Sequence, residues 1–208
     1  MAENSITQLQ IRFLEHINNH FDEQSLQKIL HALELAEKAH IRQHRDDGTP
    51  YILHPIRIAL SLMQELNIYI PELICAALLH DAEEDNKKVS HKYIEHEFGG
   101  RVSSIVHTLT KPNRWWRTRE EVNKIYFERL LHSDEDCKLI KLLDKLDNVR
   151  DAVNSPDHTK QKRTAEEAKN FYVEQLLVTL ADNQRKQKLT ELFNDAIDVL
   201  IRQMVENS

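Results

Sequence analysis

The stretch Leu78-Leu79-His80-Asp81-Ala82-Glu83-Glu84-Asp85 sets a histidine beside a run of carboxylates. It closes an apolar run, Leu73-Ile74-Cys75-Ala76-Ala77-Leu78-Leu79, that holds no glycine or proline and reads as a buried helix. Residues three and four apart share one helix face, so His80, Asp81, Glu84 and Asp85 form a single patch. An imidazole next to a carboxylate is a ligand pair for a divalent transition metal, and the following turn adds two more carboxylates. On this octet alone, a metal site and an acidic helix end facing water are equally good readings, because short motifs also arise by chance.

A second set of groups lies in Lys141-Leu142-Leu143-Asp144-Lys145-Leu146-Asp147-Asn148. Asp144 and, one turn on, Asn148 interrupt an apolar face. Asp144 sits between Leu143 and Leu146, close to the buried side, and a buried carboxylate needs a partner or a metal. Asp147 and Asp151 read as ordinary solvated charges. Upstream, His54-Pro55 places His54 at a helix N-cap, since proline is favoured at the first helical position. His54, His80, Asp81 and Asp144 together offer two imidazoles and two carboxylates. That mixed nitrogen and oxygen set suits manganese, iron(II) or zinc, with positions left open for water and substrate.

The elements that would carry these groups are helices. Only three glycines and five prolines punctuate 208 residues, which predicts an all-α chain, a compact bundle of roughly ten helices. Ser5-Ile6-Thr7-Gln8 reads as a capping box opening the first helix, and a second runs from about Glu23 to about Gln43. The loop Asp46-Asp47-Gly48-Thr49-Pro50 precedes the His54 helix, and Pro71 opens the helix that ends in the acidic patch. Ser90 caps a short helix closed by Gly99-Gly100. Lys111 to Arg117 is a basic, aromatic loop. Thr118-Arg119-Glu120-Glu121 is a second capping box, Ser133 caps the Asp144 helix, and Thr164-Ala165-Glu166-Glu167 opens a long helix to about Ala181. A last helix runs from about Gln184 to Met204.

Composition excludes several classes. A net charge of −6 argues against general nucleic-acid binding. No apolar run is long enough to span a bilayer, and the polar N-terminus lacks a signal-peptide core. Cys75 and Cys137 sit in apolar or helical patterns and read as reduced, buried thiols. The expectation is a cytoplasmic protein acting on a small molecule, with no nucleic-acid or membrane partner. The C-terminal helices cover the core or form a homodimer face.

These residues also carry a resemblance. A histidine, a His-Asp pair at a helix end and a distant aspartate are the pattern of HD-domain phosphohydrolases. A narrower match follows in order: Ala39-His40, Gln43, Arg45, Gly48-Thr49-Pro50-Tyr51-Ile52, His54-Pro55, Ala76-Ala77-Leu78-Leu79-His80-Asp81, Glu84-Asp85, Phe98-Gly99, Leu109-Thr110-Lys111, and Lys141-Leu142, Asp144-Lys145-Leu146, Asn148 and Arg150. Over roughly residues 25 to 155 the chain resembles the RelA/SpoT hydrolase domain, and it looks like a stand-alone small alarmone hydrolase. The resemblance implies one HD-type domain over residues 1–208, with its core at about 22–155 and covering helices at about 160–206. It implies manganese-dependent removal of the 3′-diphosphate of ppGpp or pppGpp, giving GDP or GTP plus pyrophosphate. His54, His80, Asp81 and Asp144 would hold the metal, and Glu84 and Asp85 would orient and deprotonate the attacking water. Arg45 would lie by the base or a phosphate, and Asn148 would contact the nucleoside.

One departure bears on the substrate. Asp46 and Asp47 follow Arg45, where the bifunctional bacterial enzymes of the family usually carry a lysine. Lys111, Arg114 and Arg117 could supply positive charge instead, and Trp115 or Trp116 would either stack on a base or pack between domains. Other nucleotides, such as adenosine alarmones or NADPH, are therefore the alternative substrates. A non-catalytic nucleotide sensor is disfavoured, because every ligand and both acidic positions are intact. His40 reads as a supporting core residue, and His91 and His96, with Glu95 and Glu97, lack zinc-protease spacing and read as surface.

Overall fold

The computed structural model describes residues 2–112 and 115–206, with side chains from residue 8 onward, and is all-α apart from its loops and one isolated bridge between His44 and Pro50. In chain order the helices are α1 (Ala2–His20), α2 (Glu23–Ala39), α3 (Leu53–Gln64), α4 (Pro71–Leu79), α5 (Ala82–Asp85), α6 (His91–Phe98), α7 (Gly100–Leu109), α8 (Arg119–Leu131), α9 (Glu135–Ala152), α10 (His158–Glu167) and α11 (Asn183–Glu206). A π-helical segment, Ala168–Leu176, continues α10. No helix among the described residues is long and apolar enough to cross a membrane.

The centre of the bundle is α4. Residues Leu73 to Leu79 are all buried, as expected of a helix that is apolar on every side. Around it pack α2, α3, α7 and α9, while α1 lies on α3 and buries Phe13 and Ile17. The π-helical segment, α10 and α11 lie against α9, with α11 burying Leu189, Phe193, Ala196, Ile197 and Leu200 at helical spacing. Cys75 and Cys137 are free and buried, and burial pushes both thiols up, to about 12 and about 11. The N-cap reading of Thr118 holds, with Thr118 and Glu121 forming a reciprocal capping box. Pro71 opens α4 as expected.

Several boundaries differ from the sequence expectations. Helix α1 already begins at Ala2, so Ser5 lies inside it, with a side chain outside the described residues. Helix α2 stops at Ala39, where Gln43 N turns back to His40 O at 2.9 Å. His54 is not an N-cap. The turn in which His54 N donates to Tyr51 O at 2.9 Å starts α3 at Leu53, and Pro55 falls inside the first turn, where its missing N–H costs nothing. Asp134, not Ser133, precedes α9, and Asp157 caps α10 well before Thr164. His96 is exposed, but His91 is half-buried under α7 with Nδ1 on Ser103 Oγ at 2.7 Å.

Candidate metal centre and its surroundings

Helix α4 ends at Leu79, and α5 starts after Asp81, so His80 and Asp81 occupy a bend between two helical segments. The His80 ring is buried, and its Nδ1–H donates to Ala77 O at 2.9 Å. That bond leaves Nε2 as the basic nitrogen. Nε2 lies 3.0 Å from Asp81 Oδ2 and 3.9 Å from Asp144 Oδ1, and it has no hydrogen-bond donor. His54 enters from α3. Its Nδ1–H donates to Asp147 Oδ2 at 2.6 Å, and its Nε2 lies 3.1 Å from Asp144 Oδ1 and 4.0 Å from Asp81 Oδ2. Three separate elements thus bring His54, His80, Asp81 and Asp144 to one point.

This donor set fits a divalent cation. Two imidazole lone pairs and two carboxylates face one another, and mutual repulsion is relieved only by positive charge between them. Each imidazole has its other N–H fixed by a carbonyl or a carboxylate, the arrangement that orients metal-ligating histidines. With no cation between them, a proton on His54 would take its place. Burial lowers His54, but its bonds to Asp144 and Asp147 outweigh burial and hold it at about 9. Burial raises Asp144 and Asp81 too, yet Lys141 and His54 hold Asp144 well below the usual carboxylate range, and His80 does the same for Asp81.

Around these four runs a closed ring of polar contacts. Asp144 Oδ1 accepts from Asn148 Nδ2 at 2.7 Å, and Asn148 Oδ1 accepts from Arg45 Nη2 at 2.9 Å. Arg45 also donates through Nε to Asp151 at 3.0 Å. Asp151 in turn faces Arg57 Nη2 at 3.7 Å, and Arg57 Nε reaches Asp147 Oδ1 at 2.6 Å, which returns the ring to His54. Asp147 is therefore buried, not a solvated charge; the bonds from His54 and Arg57 overcome the burial that would raise it and hold it at about 2. Asp151 likewise serves two arginines. Lys141 Nζ, also buried, donates to the second Asp144 oxygen at 2.6 Å, and Tyr51 Oη donates to Asp81 Oδ2.

Of the positions expected to meet the nucleotide, Arg45 and Asn148 are bonded to each other beside Asp144. Glu84 is exposed and its Oε2 accepts from the backbone N–H of Lys111 at 3.1 Å, so the basic loop starts at the acidic patch. Lys111 and Arg117 are exposed, and Arg114 lies outside the described residues. Asp85 stands 3.5 Å from His40 Nδ1, with burial and the nearby Asp81 raising its carboxyl. His40 itself is buried, lowered by that burial, and donates to Gln43 Oε1 at 2.6 Å. Trp115 and Trp116 are exposed and meet edge to face. Asp46 is turned to Lys160 and Ser155, and Asp47 accepts from Thr49, so both acids are occupied locally.

Tyr51, Arg57, Lys141, Asp147 and Asp151 escaped the sequence reading as site neighbours. A signal existed for four of them. Lys141, Asp147 and Asp151 fall three before, three after and seven after Asp144, on its own helix face, and Arg57 is one turn beyond His54.

The HD domain family model matches residues 32–174. A guanosine-3′,5′-bis(diphosphate) 3′-pyrophosphohydrolase of Aquifex aeolicus is 36% identical over 161 residues, covering 76% of this chain and 22% of that protein. The pyrophosphohydrolase MESH1 of Danio rerio is 40% identical over 117 residues, 56% of this chain and 63% of its own length. The chain thus spans about a fifth of the first relative and less than two thirds of the second. A solved structure of a metazoan orthologue of SpoT that hydrolyses ppGpp superposes with a TM-score of 0.69 at 33% identity, covering 81% of this chain and 94% of that one.

Proposed function

The chain belongs to the HD-domain family, and from that premise we propose that it hydrolyses the 3′-diphosphate of guanosine-3′,5′-bis(diphosphate), releasing GDP and pyrophosphate. The observation that carries this reading is the convergence of His54 Nε2, His80 Nε2, Asp81 and Asp144, with both imidazole N–H groups already committed elsewhere. His54, His80, Asp81 and Asp144 would hold the ion, which we take to be manganese. When bound, it supplies Lewis-acid polarisation of the phosphoryl group and acidifies water.

The protein's own residues do the rest. Asp85 accepts the proton of the attacking water. Its raised carboxyl brings it closer to the pH at which a base works best, and it lies one turn from Asp81. Glu84 positions the water and, through Lys111 N, keeps the basic loop against the site. Water oxygen bonds to the phosphorus next to the ribose 3′-oxygen, that P–O bond breaks, and the 3′-oxygen takes up a proton. Lys111, Arg114 and Arg117 offset the negative charge of the nucleotide, and Arg45 and Asn148 exchange their mutual bond for contacts with it. The protein is taken to work in the cytoplasm.

The test is incubation of purified protein with manganese and ppGpp, with pppApp and NADPH in parallel and products separated by ion exchange. GDP plus pyrophosphate is the expected result. Intact ppGpp with another substrate consumed would move the site to a different nucleotide, and no consumption at all would overturn the hydrolase reading.

A further inference from the structure

A second group of ligating side chains lies at the junction of α5, α6 and α7, made from other residues than those of the first centre. Glu83 of α5, His91 of α6 and His107 of α7 each offer one ligand atom, all within 4.8 Å of one another. The orientation of His91 is built in. The fully buried Ser103 donates its hydroxyl to His91 O at 2.9 Å and so accepts from His91 Nδ1–H at 2.7 Å, which leaves Nε2 as the basic nitrogen. The rings of His91 and His107 lie 4.8 Å apart. Glu83 Oε1 is 3.0 Å from His107 Nδ1, but its Oε2 is buried and has no donor. A buried carboxylate oxygen without a donor is costly and rare, and a cation shared with the two imidazoles would satisfy it.

We propose that Glu83, His91 and His107 form a second metal site, for a divalent cation of the zinc class. Two imidazoles and one carboxylate favour zinc, nickel or copper over manganese, and three protein ligands leave a fourth position for water. Ser103 is the outer partner that fixes His91. Occupancy clamps α5 to α6 and α7. Because α5 also carries Glu84 and Asp85, zinc at this junction restrains the segment that bears the proposed acid groups, a consequence that rests on the functional reading above.

The experiment is zinc stoichiometry and affinity, measured on the full chain by equilibrium dialysis with elemental analysis. Wild type is expected to bind two zinc ions, and the His54→Gln/His80→Gln variant one. The His91→Gln/His107→Gln variant is also expected to bind one, with its circular dichroism unchanged. Ser103→Ala, which keeps the ligands, should weaken the second ion about 10–100-fold. If the double variant does not fold, His107→Gln alone, at an exposed position, should weaken that ion at least about tenfold. Unaltered zinc binding in the His91 and His107 variants would overturn the proposal, as would a single wild-type ion that disappears with His54 and His80. Either outcome leaves the hydrolase assay above untouched.

Discussion

His54 Nδ1 lies 2.6 Å from Asp147 Oδ2, and this bond turns the other ring nitrogen towards Asp144. Asp147 thus acts on the centre without facing it. Asp147→Asn should weaken manganese binding about 10–100-fold, as loss of an outer partner of a ligating histidine does. Isothermal titration with manganese measures it, and an unchanged affinity would confine Asp147 to a structural role.

Asp85→Asn should lower kcat by about 10²–10⁴-fold while one manganese per chain is still bound at the first centre, because only a proton acceptor is removed. Glu84→Gln keeps an oxygen for Lys111 N and should cost less. The reverse ranking in steady-state kinetics would make Glu84 the base.

The metal-free protein should lose stability as pH rises. His54 sits at about 9 when folded against an ordinary 6.5, so its contribution is fully present below about pH 6.5 and disappears as pH climbs through 9. Manganese replaces that proton, so the loaded protein should lose less over the same window, and its metal affinity should grow with pH. Melting curves of chelator-treated and manganese-loaded samples between pH 6 and 9.5 test this; parallel curves would contradict it.

Lys141 holds Asp144 at 2.6 Å inside the bundle and lies 5.4 Å from the Tyr126 ring centroid. Lys141→Met keeps the volume but leaves a buried carboxylate short of charge, a loss of about 3–5 kcal/mol in the metal-free protein. Urea unfolding should show manganese restoring part of it. An equal penalty with and without metal would mean Lys141 does not share Asp144 with the ion.

Arg117→Ala, at an exposed position, should raise KM for ppGpp and leave kcat alone. A salt-independent, unaltered KM would assign the loop to some other task.

The helices were legible because α4 is apolar from Leu73 to Leu79 and the flanking helices alternate faces at helical spacing. The candidate ligands were legible because His80-Asp81 ends a buried helix and Asp144 interrupts another. What the sequence hid was the distance between residues far apart in it. Asp147 looks like any surface acid until His54 and Arg57, some ninety positions earlier, are brought against it. The start of α3 was hidden for a local reason: the turn from Pro50 to Leu53 begins the helix ahead of the proline.

Asp144, Asp147, Asn148 and Asp151 are spaced three, four and seven along α9, and all point to one side of it. One residue inserted after Asp144 would turn everything beyond it by about 100°. His54 would then lose Asp147 while keeping Asp144, and both arginines would lose their partners at a stroke. Relatives of this chain should accordingly vary in length between α7 and α8, in the loop that starts at the Glu84 contact with Lys111 N, and keep α9 free of insertions and deletions.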